Sequence, residues 1–277
     1  MPCSPTSHGS PERGDVERWR RLIVEGLLWT GSAADRVARL SHYLAAGTLR
    51  LADLQDGIRD AWQDHYSRES DIPPAFMPWE QELVERFVPP GAGVLLIGCG
   101  SGRDVIALVA RGCRVTGVEP SERALGAARR ALLDQGLSAE LVEGFFEDTH
   151  LSGQFEAIVF SYYSYACIPQ TRRRIAALRK AGALLGPGGH VLVSHAHATR
   201  PRSIFVTLGR VAGAVSRSDW RIEEGDLLWA NRGAGPSYSY AHAFAPGEVE
   251  REAAAAGLLP VFSRESGDGR AVALATT

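Results

Sequence analysis

Lysine is nearly missing from this 277-residue chain: Lys180 is the only one, and every other basic side chain is arginine. With 30 basic and 32 acidic residues the formal charge is −2, so no overall positive field draws the protein to nucleic acid or an anionic membrane. Cysteine is scarce too. Cys3, Cys99, Cys113 and Cys167 form no C-x-x-C pair and no secretory disulfide framework. Cys99 and Cys113 read instead as small buried residues. No apolar run reaches the roughly 18–20 residues of a membrane span. The opening MPCSPTSHGSP is polar and proline-rich, unlike a signal peptide. These absences point to a soluble protein of a reducing, cytoplasmic compartment, with no metal site and no nucleic-acid or membrane partner.

What is present is ordinary for a globular protein, 45% apolar and 22% charged residues. The length suits one α/β domain with an appendage. Residues 1–14 contain nothing to bury and are expected to be disordered. Residues 15–70 read as a helical arm or cap. Trp19, Leu22, Ile23, Leu27 and Leu28 recur near a 3.6-residue period, and Val37, Leu40, Tyr43 and Leu44 repeat it after a break at Gly31 and Ser32. A third helical piece covers Leu51 to Tyr66. Such an arm suits a lid, or a homodimer contact.

From residue 71 to 277 the pattern alternates. After the proline-broken linker IPPAFMPW (72–79) comes a helix, Glu80 to Val88. Strands are expected at Val94–Ile97, Arg114–Val118, Ala139–Val142, Ala157–Phe160 and His190–Ser194, with helices near 102–111, 121–135 and 170–185. That alternation calls for a doubly wound, mostly parallel sheet with helices on both faces. GPGG (186–189) reads as the stop of the last of those helices. An insertion follows at about 200–236, then a strand over Tyr238–Phe244 and a helix opening at Pro246 and ending at Gly257. Leu258–Arg264 and Ala271–Thr277 read as an antiparallel hairpin closing a seven-stranded sheet.

The chemistry concentrates in VLLIGCGSGRD (94–104), a strand running into a glycine-rich turn. A second strand ends on Glu119, 21 positions after Gly98. Glycines let a ligand approach the backbone, and a carboxylate at that spacing accepts hydrogen bonds from ribose hydroxyls. The turn is Gly98-Cys99-Gly100-Ser101-Gly102, with Arg103 where a dinucleotide fold has its third glycine. Asp104, in the first helical turn, repels a pyrophosphate. A nucleoside with a cationic end fits better than a dinucleotide.

At this point the chain resembles the class I, Rossmann-like S-adenosylmethionine-dependent methyltransferases, over about residues 70–277. VLLIGCGSG (94–102), TGVEP (116–120), LVEGFFED (141–148), FEAIVFSY (155–162) and LLGPGGHVLVS (184–194) are similar to that family's segments in the correct order. The resemblance implies S-adenosyl-L-methionine as cofactor. It is carried by Gly98, Cys99, Gly100, Ser101, Gly102, Asp104, Glu119, Pro120, Phe145, Phe146, Ser161 and Tyr162, with Tyr66 and Trp79 as lid aromatics. Two positions depart from the family: Leu96 stands where an acid usually helps hold the methionine amino group, and Phe145 where an acid often meets the adenine. Asp104 and Asp148 are the substitutes nearest in sequence.

Methyl transfer from a sulfonium asks mainly for alignment, and for a base only where the acceptor must lose a proton. His195 and His197, in SHAH after the fifth strand, are the candidate bases, and Tyr163, in SYYSYACIP after the fourth, the candidate orienting hydroxyl. These residues favour oxygen as acceptor, on a small molecule or a peptide natural product. Strand four has no N/D-P-P-Y/F/W sequence, which argues against nucleic-acid bases. The alternatives are an NAD(P)-dependent oxidoreductase, opposed by Arg103 and by the absence of a Tyr-x-x-x-Lys pair, and a non-catalytic binding protein on the same fold.

Overall fold

The computed structural model describes residues 12–67, 76–232 and 236–276. Its centre is a seven-stranded sheet. Strands β1 (Gly93–Ile97), β2 (Arg114–Glu119), β3 (Glu140–Glu143), β4 (Phe155–Phe160) and β5 (Leu185–Ala196) run parallel. A two-stranded hairpin of β6 (Asp226–Arg232) and β7 (Pro236–His242) stands apart from them. The chain closes with β8 (Leu258–Glu265) and β9 (Gly269–Thr276), which enter the main sheet antiparallel in the order β3-β2-β1-β4-β5-β9-β8. This is the doubly wound sheet with an antiparallel end that the sequence implies. All five residues of β1, Gly-Val-Leu-Leu-Ile, are buried, because a central parallel strand is covered on both faces.

Helices α1 (Glu12–Thr48) and α2 (Leu51–Ser67) form the arm, and α3 (Pro78–Phe87) leads into the sheet. Around the sheet pack α4 (Arg103–Ala110), α5 (Glu122–Asp134), α6 (Thr171–Leu184) and α8 (Glu248–Ala256), while α7 (Ser203–Ser216) belongs to the insertion. One core layer joins Leu83, Leu96, Leu108 and Leu125, and another joins Leu95, Ile158, Leu178 and Val191, so alternate residues of β1 point to opposite faces. A third cluster, Tyr43, Leu54, Ile58, Val206, Trp220, Leu228 and Tyr240, fuses arm and insertion into one cap. Its closest approach is glycine on glycine. A Cβ at Gly47 would stand 2.2 Å from the Gly209 carbonyl oxygen, so α1 and α7 pack backbone to backbone.

Several expectations need correcting. Gly31 and Ser32 do not break the arm: α1 is continuous, since one helical glycine costs only about 1 kcal/mol. It also starts at Glu12, inside the stretch expected to be disordered; residues 1–11 lie outside the described ones. GPGG does not end α6, which stops at Leu184; it lies at the start of β5, where the pairing with β4 is irregular. Pro246 precedes α8, whose N-cap is Gly247 in the left-handed region. The described part of the 200–236 insertion holds helix α7 and strand β6.

Candidate cofactor and active site

Where β1, β2 and β4 end, the sheet opens into a cavity of about 340 Å³, within the range of small-ligand sites. Gly98, Cys99 and Ser101 of the turn line it. Gly98 has φ +75°, and a Cβ there would come 2.5 Å from the Ser164 Cβ. Only glycine keeps this floor open. The Ser164 hydroxyl is buried, lines the cavity, and has no hydrogen-bond partner among the described residues.

Glu119 ends β2 with its carboxylate on the cavity wall. One oxygen accepts from the Gly100 N–H (3.1 Å) and the other from the Ser121 N–H (3.0 Å). Ser121 is itself fixed, capping α5 by accepting from the Ala124 N–H at 3.2 Å. Burial pushes the Glu119 pKa up to about 7, and the two N–H groups hold it down against that. The oxygens have lone pairs to spare, so the group is aimed and able to accept more.

Leu96, standing in place of the family's acid, is buried in the core. Negative charge reaches that end of the cavity by another route. Asp104 accepts from the Ser161 hydroxyl (2.5 Å), from Arg103 (2.7 and 2.8 Å) and from the Phe76 N–H (3.2 Å). Glu80, on α3, accepts from the Met77 N–H (2.7 Å) and the Tyr162 N–H (2.8 Å). Tyr162 has φ +46°, an uncommon conformation for a non-glycine residue, and Glu80 clamps it. Burial, and then the charge of Asp104, raises the Glu80 pKa. Asp104 lines the cavity and is the carboxylate placed to meet a cationic ligand group, while Glu80 lies behind it and fixes Tyr162. Sequence reasoning missed Glu80, which lies outside the glycine motif. Asp148 points elsewhere, towards Gln55 (3.4 Å) and Arg173 (3.7 Å).

Phe145 and Phe146 line the opposite wall. The Arg59 guanidinium lies 5.4 Å from the centre of the Phe145 ring, and Phe146 packs edge-on against Phe160. Ile58 and Trp62 of α2 complete that wall, so the arm does reach over the cavity. The side chain of Tyr66, expected in this place, lies outside the described residues. Trp79 is no lid. It is buried in the core, donating to the Ser194 hydroxyl at 3.0 Å. Pro120, Ser161, Tyr162 and Tyr163 line the cavity; Gly100 and Gly102 support the turn without facing it. Cys167, also on the wall, is a neutral thiol, since burial pushes its pKa up to about 12.

His195 and His197 are placed differently. His195 is buried against Phe244, with Nδ1 3.3 Å from the Ala196 carbonyl, and burial pulls its pKa down to about 4. His197 Nε2 lies 3.1 Å from the Ser266 carbonyl oxygen. Neither lines the cavity. Of the three candidate catalytic residues, only Tyr163 does.

A second polar cluster lies in the cap. His242 contacts the Asp226 carboxylate through Nδ1 (2.8 Å) and Glu248 through Nε2 (2.9 Å), while Arg174, fully buried, pairs with Glu252 at 2.7 Å. Glu223, Asp226 and His242 converge like metal ligands. Both nitrogens of His242 are already used, however, and Arg174 lies 3.6 Å from Glu223, so cationic side chains already balance these acids.

Among known proteins, the methyltransferase domain family matches residues 94–189, the span from β1 into β5 that carries the turn and Glu119. A cypemycin N-terminal methyltransferase from a Streptomyces species is 31% identical over 39% of this chain and 49% of its own. A ubiquinone biosynthesis O-methyltransferase from Bordetella avium is 29% identical over 68% of this chain and 70% of its own. This chain therefore spans from about half to about 70% of the length of such curated relatives. The structure of the CcbJ methyltransferase from Streptomyces caelestis superposes with a TM-score of 0.58 at 19% identity, over 77% of this chain and 95% of that one. The sheet and its ligand cleft are thus those of a class I methyltransferase fold. Residues 94–189 match a methyltransferase domain, and the sheet around them has the fold that S-adenosylmethionine-dependent methyltransferases share.

Proposed function

We propose that the chain transfers the methyl group of S-adenosylmethionine to a small molecule or a peptide natural product. The observation that supports this most is the ribose-type carboxylate of Glu119, aimed into a cavity that Asp104 also lines. The bound cofactor supplies a methyl group already activated by its sulfonium. The chain's own residues bind and align. Glu119 accepts the ribose hydroxyls. Ile58, Trp62, Phe145 and Phe146 enclose the base in an apolar wall, and Asp104 faces the cationic amino end, with Glu80 holding Tyr162 in place behind it. Tyr162 and Tyr163, with ring centroids 4.2 Å apart, flank the reacting end, where an aromatic face attracts a cation by roughly 0.5–2 kcal/mol. Catalysis is then chiefly alignment, with electrostatic support for the moving charge.

The preference for oxygen over nitrogen rested on His195 and His197 as bases. With both off the cavity, we propose an acceptor whose lone pair is available without them: an amine, or an acidic hydroxyl such as a phenol. No helix among the described residues is long and apolar enough to cross a membrane. We infer a cytoplasmic enzyme acting on neither lipid bilayer nor nucleic acid. Incubation with methyl-labelled S-adenosylmethionine and pooled small metabolites should yield a product heavier by one methyl group. Tight binding of S-adenosylhomocysteine with no such product from any pool would favour the non-catalytic reading, and heat on titrating NAD would favour the oxidoreductase.

A further inference from the structure

Helix α1 leaves the body of the protein almost bare. Of its described side chains from Arg18 to Arg39, only Ala33 is even half-covered; contact with the body begins at Leu40 and Tyr43. At 1.5 Å per residue this is a free rod of about 30 Å. A helix of that length is marginal in water on its own.

The bare part carries a continuous apolar stripe. At 100° per residue, Trp19, Leu22, Ile23, Leu27, Trp29 and Val37 fall on one half of the helix surface, with the small residues Gly26, Ala33 and Ala34 between them. Arg18, Arg21, Glu25, Asp35, Arg36 and Arg39 take the other half, with Val24 and Leu28 among them. The six large stripe residues are between 50% exposed (Leu22) and 70% exposed (Trp29). Together they leave roughly 800 Å² open, more than the largest apolar patch of a typical monomer and about what each partner contributes to a standard interface. Tyr43 lies just beside this stripe, while Gly47 and Leu40 fall in line with Trp29 and Leu22 at its edge, so packing onto the body takes up that edge beyond Arg39 and leaves the rest bare.

We propose that the stripe is covered by the same helix of a second copy, making a two-fold homodimer. Charge favours this occupant over a membrane surface. Glu12–Thr48 carries six arginines and five acids; the bare part has five arginines to two acids, with Glu25 and Asp35 set among them, whereas helices that lie on anionic lipid carry a strongly and uniformly basic face. Acids set among the arginines let this face meet itself, and a two-fold axis makes one stripe serve both partners. Orientation follows from the flank. Glu25 and Arg36 are 11 positions apart, three turns within about 20°. An antiparallel pair centred between them sets Glu25 beside the partner's Arg36.

Sedimentation velocity of the full chain is the test. A dimer is expected, and Leu27→Glu, alone or with Leu22→Glu, should weaken association at least tenfold while S-adenosylhomocysteine titrates as in the parent. Glu25→Arg should weaken it less, with recovery in the Glu25→Arg, Arg36→Glu double variant. A parent chain that sediments as a monomer, a dimer indifferent to Leu27→Glu, or a monomer that floats with phosphatidylcholine–phosphatidylglycerol vesicles would each overturn the proposal. The parent measurement needs no substitution, so a misfolded variant cannot shield the idea.

Discussion

The ends of β2 and β5 belong to one parallel sheet and both finish on residues that carry chemistry, yet they differ in how their polar atoms are used. At the tip of β2, Glu119 has two backbone donors that aim it and lone pairs left over, and it faces a cavity. At the tip of β5, both histidines contact carbonyl oxygens of their own neighbourhood, and His195 is packed under Phe244. A strand's carboxyl end is therefore a place for a site rather than a site in itself. What distinguishes the two is unused hydrogen-bonding capacity facing a space.

The comparison is broken most severely at the turn. Gly98→Val puts a β-branched side chain at φ +75° and into Ser164, and should lower affinity for S-adenosylhomocysteine by at least about a hundredfold in a chain with native circular dichroism. Glu119→Ala should cost on the order of 1–3 kcal/mol of cofactor binding. Because burial holds the Glu119 pKa near 7 in the free protein, affinity should rise with pH through about 7 and then level. Stability should run the other way. With its pKa raised from 4.5 to about 7, Glu119 contributes stability that is complete below 4.5 and lost as pH climbs through 7, a dependence that Glu119→Gln removes.

At the β5 end the expectation is a change in stability without a change in chemistry. The folded-state pKa of His195 is lowered from 6.5 to about 4, so its contribution is present above 6.5 and lost as pH falls towards 4. A shift of this size is worth on the order of 3 kcal/mol. His195→Asn should flatten acid unfolding over that window, while His195→Asn and His197→Ala both keep parental kcat/KM within about twofold. A tenfold fall in either would return a histidine to the mechanism. Trp62→Ala should weaken cofactor binding by roughly tenfold, the scale of a lost aromatic contact; unchanged binding would remove α2 from the site.

The parts of the fold legible in the sequence are those whose signal is local. β1, the glycine turn and Glu119 lie within 27 residues, and each strand announces itself by a short apolar run. The cap was not legible for the opposite reason. Helix α7, SIFVTLGRVAGAVS, is apolar nearly all round and shows no clear face, and its glycines read as breaks although they let α1 approach. The Arg174–Glu252 pair joins residues 78 positions apart. Trp62 lines the site, and Glu80 braces it through Tyr162, only because α2 and α3 fold back over it, which no spacing within the glycine motif reveals. The histidines failed through the converse error: nothing in SHAH tells that β9 and Phe244 cover His195.

Calorimetric titration of S-adenosylhomocysteine into the parent chain and into Glu119→Ala goes straight to the ribose carboxylate. One site per chain is expected, with the variant weaker by 1–3 kcal/mol and its melting temperature in the absence of ligand at or above the parent's at pH 8. Equal affinity in the two chains, or no heat from the parent, would contradict the assignment of the cavity.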